Sequence, residues 1–358
     1  MFSELASLRI WCLLPTVLSP ADLVQEPEVQ DFMDWTSELS AEDAPEVLLA
    51  LARMLPEAEV APASVLALCC GALVEQSGQA TLAFPALLTH FQRLQELLNT
   101  GVTPPAGAFR FTIMALMAML CRSAANRREL QQLTDLVEWL NVHEDVSDHF
   151  YYLAGMLQVS DEESLYVLFP EQGTGLEVKV SQVNNVFHLF TLLQPLVVQH
   201  QAELGLRRMY SALDPHLLRY AQGLTAEPPE KDVDAALFNW LNAAAYQGGP
   251  LDKLQMAWGD LPVRDLPRLQ GRVVLLGTEL PGGPRRSWEV GFCAVLHGAH
   301  LPQVQLRQVL PPETVRQALQ ALHPGSVNLG TPEDEAILPS TTPSTASRRS
   351  WWQRLIGG

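Results

Sequence analysis

From the start of the chain to about residue 160, apolar residues recur at the three- and four-residue spacing of an α-helix, and each run closes on Gly, Pro or Asn. No alternating run of the kind that makes a strand interrupts them, so this part of the chain reads as a helical domain. From Pro85 to Leu98 the residues Leu87, Leu88, Phe91, Leu94, Leu97 and Leu98 share one face, Pro85 suits the first turn, and Asn99-Thr100-Gly101 ends the run. From Asn126 to Leu140 the spacing predicts another helix, with Asn126 as cap, Glu129 completing a capping box, and Leu130, Leu133, Leu136, Val137 and Leu140 as the stripe. Similar stripes run over Pro45 to Leu55, where Ser40 and Asp43 offer a capping signal, over Ala63 to Val74, and over Val142 to Leu157. Helix lengths are alike but no signature residue recurs at a fixed period, which leaves a compact bundle and a solenoid-like stack equally open.

The pattern changes after Asp161-Glu162-Glu163. The run Leu165 to Phe169, the turn Pro170 to Gly175 and the alternating Leu176-Glu177-Val178-Lys179-Val180 read as a β-hairpin, with Gly173 and Gly175 as turn glycines. A helical region from Val186 to Gly223, broken by Pro195 and by Asp214-Pro215, precedes a helix expected from about Val233 to Tyr246. A second hairpin is expected from Arg272 to Leu296, with Arg272 to Leu276 going out, Pro281-Gly282-Gly283-Pro284 turning, and Trp288 to Leu296 returning. A short helix from Glu313 to Leu322 follows. The fold class is therefore mainly α with a smaller α+β part: a helical bundle or solenoid-like domain over 1–160, an α+β domain with two antiparallel hairpins over 161–325, and a flexible tail over 326–358.

Hydrophobic residues are 47% of the chain and charged residues 18%, the balance of a buried globular core. The formal charge of -17 argues against nucleic acid as the partner, because phosphate binding draws on clustered Lys and Arg. From Asp22 to Glu59 there are eleven carboxylates against the single base Arg53, which reads as a solvated face or as a docking face for a basic partner. The five cysteines, Cys12, Cys69, Cys70, Cys121 and Cys293, form no C-x-x-C pair and fit reduced, buried thiols of the cytoplasm. The first residues carry Glu4 where a signal peptide has a basic cluster, and Phe111 to Cys121 is about half the length of a membrane span.

The densest polar cluster is Asn141 to His149, and it supplies the enzymatic candidates His143, Asp145 and His149. On one continuous helix His143 and His149 stand about 240° apart, so they do not face one ion; the spacing instead suits a helix capped by Asn141, with Val142, Val146, Phe150 and Leu153 buried. His297-Gly298-Ala299-His300 follows an expected strand and lacks a third metal ligand nearby, so its histidines read as loop residues. No G-x-S-x-G elbow, Walker lysine or S-x-x-K is present, and no cofactor or metal is expected.

The tail ends in a basic, aromatic peptide on an acidic protein. Trp351 and Trp352 beside Arg348, Arg349 and Arg354 suit an anionic membrane surface, with weak affinity, or an acidic groove, against the plainer reading of a disordered end that packs occasionally on its own acidic body. The stretch LFPEQGTGLEVKVSQVNNVFHLFTLL, followed by WGDLPVRDLPRLQGRVVLLG, resembles uncharacterised bacterial proteins in which a G-x-G turn precedes an N-x-F-x-L-x-x-L-L helix. The resemblance covers about residues 164–296 and implies a bacterial origin without an activity. These readings lead to the expectation of a cytoplasmic protein-protein interaction or scaffold protein, with an enzyme or ligand-binding site between the two domains as the alternative.

Overall fold

The computed structural model describes residues 3–229, 233–246, 251, 254–257, 259, 261–280, 285–287 and 297–322. The chain is mainly α with a smaller α+β part. Ten helices come first: α1 (Ser3–Cys12), α2 (Pro20–Leu23), α3 (Pro27–Ser37), α4 (Ala44–Met54), α5 (Val60–Ser77), α6 (Phe84–Asn99), α7 (Ala108–Leu120), α8 (Ala124–Leu130), α9 (Leu136–Val142) and α10 (Phe150–Gln158). One hydrophobic core, running from Leu5 to Val159, is shared among them. At its centre α5 lies against α7, where Gly71 sits so close that a Cβ there would stand 2.8 Å from the Ala115 Cα. Among the described residues α5 is the helix long and apolar enough to cross a membrane, and 67% of it is buried within this core.

The remaining elements surround a mixed sheet. Strands β1 (Glu163–Phe169) and β2 (Thr174–Ser181) form the expected hairpin, with Glu163 opposite Val180 and Phe169 opposite Thr174. Gly173 has a φ of 65°, and a Cβ on Gly175 would press to 2.8 Å from the Val167 carbonyl oxygen, so the turn requires both glycines. Helices α11 (Val186–Gln199) and α12 (Pro215–Ala221) follow, then β3 (Val233–Ala236), β4 (Phe238–Asn242), β5 (Arg268–Leu269), β6 (Arg272–Glu279), β7 (Arg285–Ser287), β8 (Gln303–Val309) and α13 (Pro312–Ala321). The main sheet runs β4-β6-β1-β2-β8, with β5 added on β6, while β3 and β7 pair separately.

Alternation along the strands splits the second half's core across the two sheet faces. Leu165, Val167 and Phe169 of β1 join Val273 and Leu275 of β6 beneath α11, whereas Leu168, Val274 and Leu276 face the side that α13 covers. With both faces covered, β6 must be apolar on consecutive positions, which explains the run Val273 to Leu276 and its parallel pairing with β1.

Four local expectations are corrected. The helix expected from Asn126 to Leu140 is two, α8 and α9, separated by a turn at Leu133. Ser123 is the cap, accepting from the Asn126 N–H, while the Asn126 side chain donates to the Ala80 carbonyl across the core. Asn141 lies inside α9 instead of capping a helix, the chain turns through 143–149, and Val142 and Val146 are exposed; Phe150 and Leu153 are buried as expected. The Ala-rich stretch from Val233 to Tyr246 forms β3, β4 and a 3-10 turn at Ala243–Ala245. Pairing of Phe238 to Asn242 along β6, with Phe238 and Trp240 buried, outweighs its helix propensity. Finally, β6 pairs with β1, β4 and β5, and the returning segment Trp288 to Leu296 of the expected second hairpin lies outside the described residues.

Candidate functional site

His143, Asp145 and His149 are not drawn together. His143 closes α9, its ring stacked 4.4 Å from the Trp139 ring and its Nδ1–H donated to the Trp139 carbonyl at 2.9 Å. His149 precedes α10 and faces Tyr152, and its pKa is lowered by partial burial and by Arg110, against an opposing pull from Asp148. Asp145 is exposed on the intervening turn. Among the described residues no group of three His, Cys, Asp or Glu side chains is placed to hold a metal ion. Four of the cysteines, Cys12, Cys69, Cys70 and Cys121, are free and buried; burial pushes the Cys69 and Cys121 thiols up to about 12, which leaves them protonated and unreactive. Cys293 lies outside the described residues. Ser64 and His90 meet at 3.1 Å, but both are buried, and the Ser64 hydroxyl donates to the Val60 carbonyl, so the pair braces α5 against α6.

A polar junction that the sequence did not reveal joins the two halves. Arg127 of α8 makes a buried two-pronged ion pair with Asp161, 2.7 and 2.8 Å, just before β1. Asn184, His188 and His300 lie buried on the other side of the Ser160–Val183 bridge. His188 Nδ1 accepts from the Asn184 N–H and its Nε2–H donates to the Ala221 carbonyl, which fixes one neutral tautomer. His300 Nε2 meets Asn184 Oδ1 at 3.0 Å, while His297 takes a different partner, Glu75 of α5, at 2.7 Å. Both are loop histidines, as expected, and His297 ties their loop to the helical core while His300 ties it to the segment after β2. Burial lowers the His188 pKa to about 4; burial, helped by His188 and Arg127, lowers that of His300 to about 3. His188 and His300 are wholly shielded from solvent within this junction.

Two open features among the described residues bear on binding. One is a groove of about 420 Å³ between α11, α12 and the start of β8, lined by Leu192, Leu196, Leu218, Leu301 and Val304. The other is the link from α1 to α2. Trp11 and Cys12 anchor it on one side and Pro20 and Leu23 on the other, yet Leu13, Leu14, Val17 and Leu18 between them are exposed, Val17 completely, as is Ile10 in the last turn of α1. A capping box between Ser19 and Asp22 fixes its exit. Carboxylates border it: α1 packs on α3, and Asp22, Glu28, Asp31 and Asp34 are exposed, while Arg9 is engaged by Glu57 at 3.3 Å. The residues Arg348, Arg349, Trp351, Trp352 and Arg354 lie outside the described residues. No protein-family model, curated protein or solved structure matches this chain.

Proposed function

We propose that this chain is a bacterial cytoplasmic interaction or scaffold protein, whose helical half receives a basic, apolar segment of a protein partner on the α1–α2 link. The observation that carries the reading is the set of five exposed aliphatics, Ile10 at the end of α1 and Leu13, Leu14, Val17 and Leu18 in the link, with exposed carboxylates on α2 and on α3, which packs against α1. Exposed apolar patches of this kind mark binding surfaces, because their burial is favourable by ~25 cal/mol per Å² and water gains from their removal. The acidic border selects partners by charge and steers their approach, and it repels nucleic acid. The Trp/Arg tail supplies a second attachment, and with it weak contact to anionic membrane surfaces.

The test compares the full chain with a Leu14→Asp/Val17→Asp variant as bait in quantitative affinity purification. Both substituted positions are exposed, so the variant keeps its helical circular dichroism. A specific prey lost only from the variant supports the reading; prey recovery identical for the two baits removes the α1–α2 link as the docking surface.

A further inference from the structure

The α1–α2 link presents an apolar surface with a definite charge requirement. Over nine residues, Ile10, Leu13, Leu14, Val17 and Leu18 expose 67%, 50%, 56%, 103% and 40% of their surface. Around them the exposed carboxylates of α2 and α3 meet little positive charge, since Arg9 is paired with Glu57. The complementary ligand is a short segment with several large apolar side chains and several cations. One stretch of this chain has that composition: from Arg348 to Ile356 it carries Arg348, Arg349 and Arg354 with Trp351, Trp352, Leu355 and Ile356, and no acid occurs beyond Glu335. In a protein with 40 acidic and 23 basic residues that local excess is set against the charge of everything near it.

Reach is sufficient. Between Leu322, at the end of α13, and Arg348 lie 25 residues, which span at most ~80 Å at ~3.3 Å each. A random coil of that many residues has a root-mean-square length of ~25–30 Å, comparable with the ~20 Å radius of gyration of a folded body this size. A tether in this range presents the peptide to its own body at roughly millimolar effective concentration.

We propose that residues 348–356 dock on the patch formed by Ile10, Leu13, Leu14, Val17 and Leu18 of the same chain, with Trp351 and Trp352 on the aliphatics and the three arginines over the carboxylates of α2 and α3. The contact is autoinhibitory: an external basic, apolar partner must displace the tail. It rests on the reading of this patch as a docking surface for such segments, and adds that its resident occupant is the chain's own tail.

The experiment uses full-length chains and a fluorescein-labelled peptide of sequence SRRSWWQRLIGG. The receptor with Trp351→Ser/Trp352→Ser, its own tail disabled, is expected to bind the peptide in the micromolar range, and the wild-type chain at least about tenfold more weakly, because its tail competes. Adding Leu14→Asp/Val17→Asp to the disabled receptor is expected to abolish binding. Raising sodium chloride from about 50 to about 500 mM should weaken it, as screening removes the arginine contribution. Equal binding by the wild-type and disabled-tail chains overturns the proposal, as does binding that survives the patch substitutions. Competition that appears only where light scattering shows a dimer overturns the same-chain assignment in favour of a second copy. Binding of the peptide to phosphatidylserine vesicles but not to the receptor overturns it in favour of a membrane. A second labelled peptide of alternating Arg and Leu separates the two readings: patch-dependent binding of this probe when the tail peptide fails leaves the docking surface standing and removes only its resident occupant, whereas failure of both removes both.

Discussion

His188 is held by two hydrogen bonds that are compatible with only one protonation state, since Nδ1 accepts from the Asn184 N–H and Nε2–H donates to the Ala221 carbonyl. Protonating Nδ1 would set two donors against each other in a site without solvent, where burial already disfavours the charge. The folded pKa values of His188 and His300, about 4 and about 3, lie below the ordinary histidine value of 6.5. The unfolded chain therefore binds more protons than the native one once the pH falls below about 6.5. The stability these residues contribute is fully present above that value and is lost as the pH drops toward 4 and then 3. Each histidine steepens the loss by at most ~1.4 kcal/mol per pH unit. Urea unfolding at pH 7.0 and 5.5 should show this fall, ~2.5 kcal/mol for the two together beyond the carboxylate background. In His300→Gln the pH dependence over the same interval should shrink, and an unchanged dependence would mean that the imidazole titrates freely in the fold.

Among the elements, α5 and α7 depend most on one residue. Because a Cβ at Gly71 would meet the Ala115 backbone at 2.8 Å, the helices approach as closely as they do only with glycine there. Gly71→Ala gains up to ~1 kcal/mol of helix propensity and loses ~1–3 kcal/mol to overpacking against backbone that cannot swing aside, so a net loss of ~1–2 kcal/mol is expected in chemical denaturation. Gly71 stood in an apolar stripe that its sequence marked as a helix, but nothing in the stripe marks which neighbour a glycine meets. The same division runs through the chain. Stripes long enough to average over several turns, as in α4, α6 and α7, were legible because each helix buries a face of its own. The stretches from Val233 to Tyr246 and from Gln303 to Val309 were not, since a strand is fixed by its partners: β4 by β6, and β8, rich in Gln, by its seat along β2. Of the candidate sites, the apolar stretch that holds Ile10, Leu13, Leu14, Val17 and Leu18 is weighed in sequence only against a signal peptide, and only the fold shows that nothing among the described residues covers these five.

At the scale of the molecule, two cores meet over a small set of polar contacts. The first core ends at Val159 and the second begins at Leu165, and the hydrophobic side chains of the two form separate clusters. Coupling between them is carried at the junction by the Arg127–Asp161 pair, Arg264 donating to the Leu157 carbonyl, His297 on Glu75 and Ala299 packed on the first core. Arg127 and Asp161 are 2% and 7% exposed, so removing one partner strands a buried charge at a cost of ~3–5 kcal/mol, more than the net value of the pair itself. Asp161→Asn keeps the shape and one acceptor but leaves the guanidinium unneutralised. Because the cost falls on the seam and not within either core, the variant should unfold in two calorimetric transitions where the wild-type chain shows one. Arg127→Met with Asp161→Leu, which removes both charges and fills the space, should restore a single transition. Two transitions in the wild-type chain would mean that the seam contributes too little to couple the halves, and a single lowered transition in Asp161→Asn would mean that the contacts around Arg264, His297 and Ala299 are enough to keep the halves together.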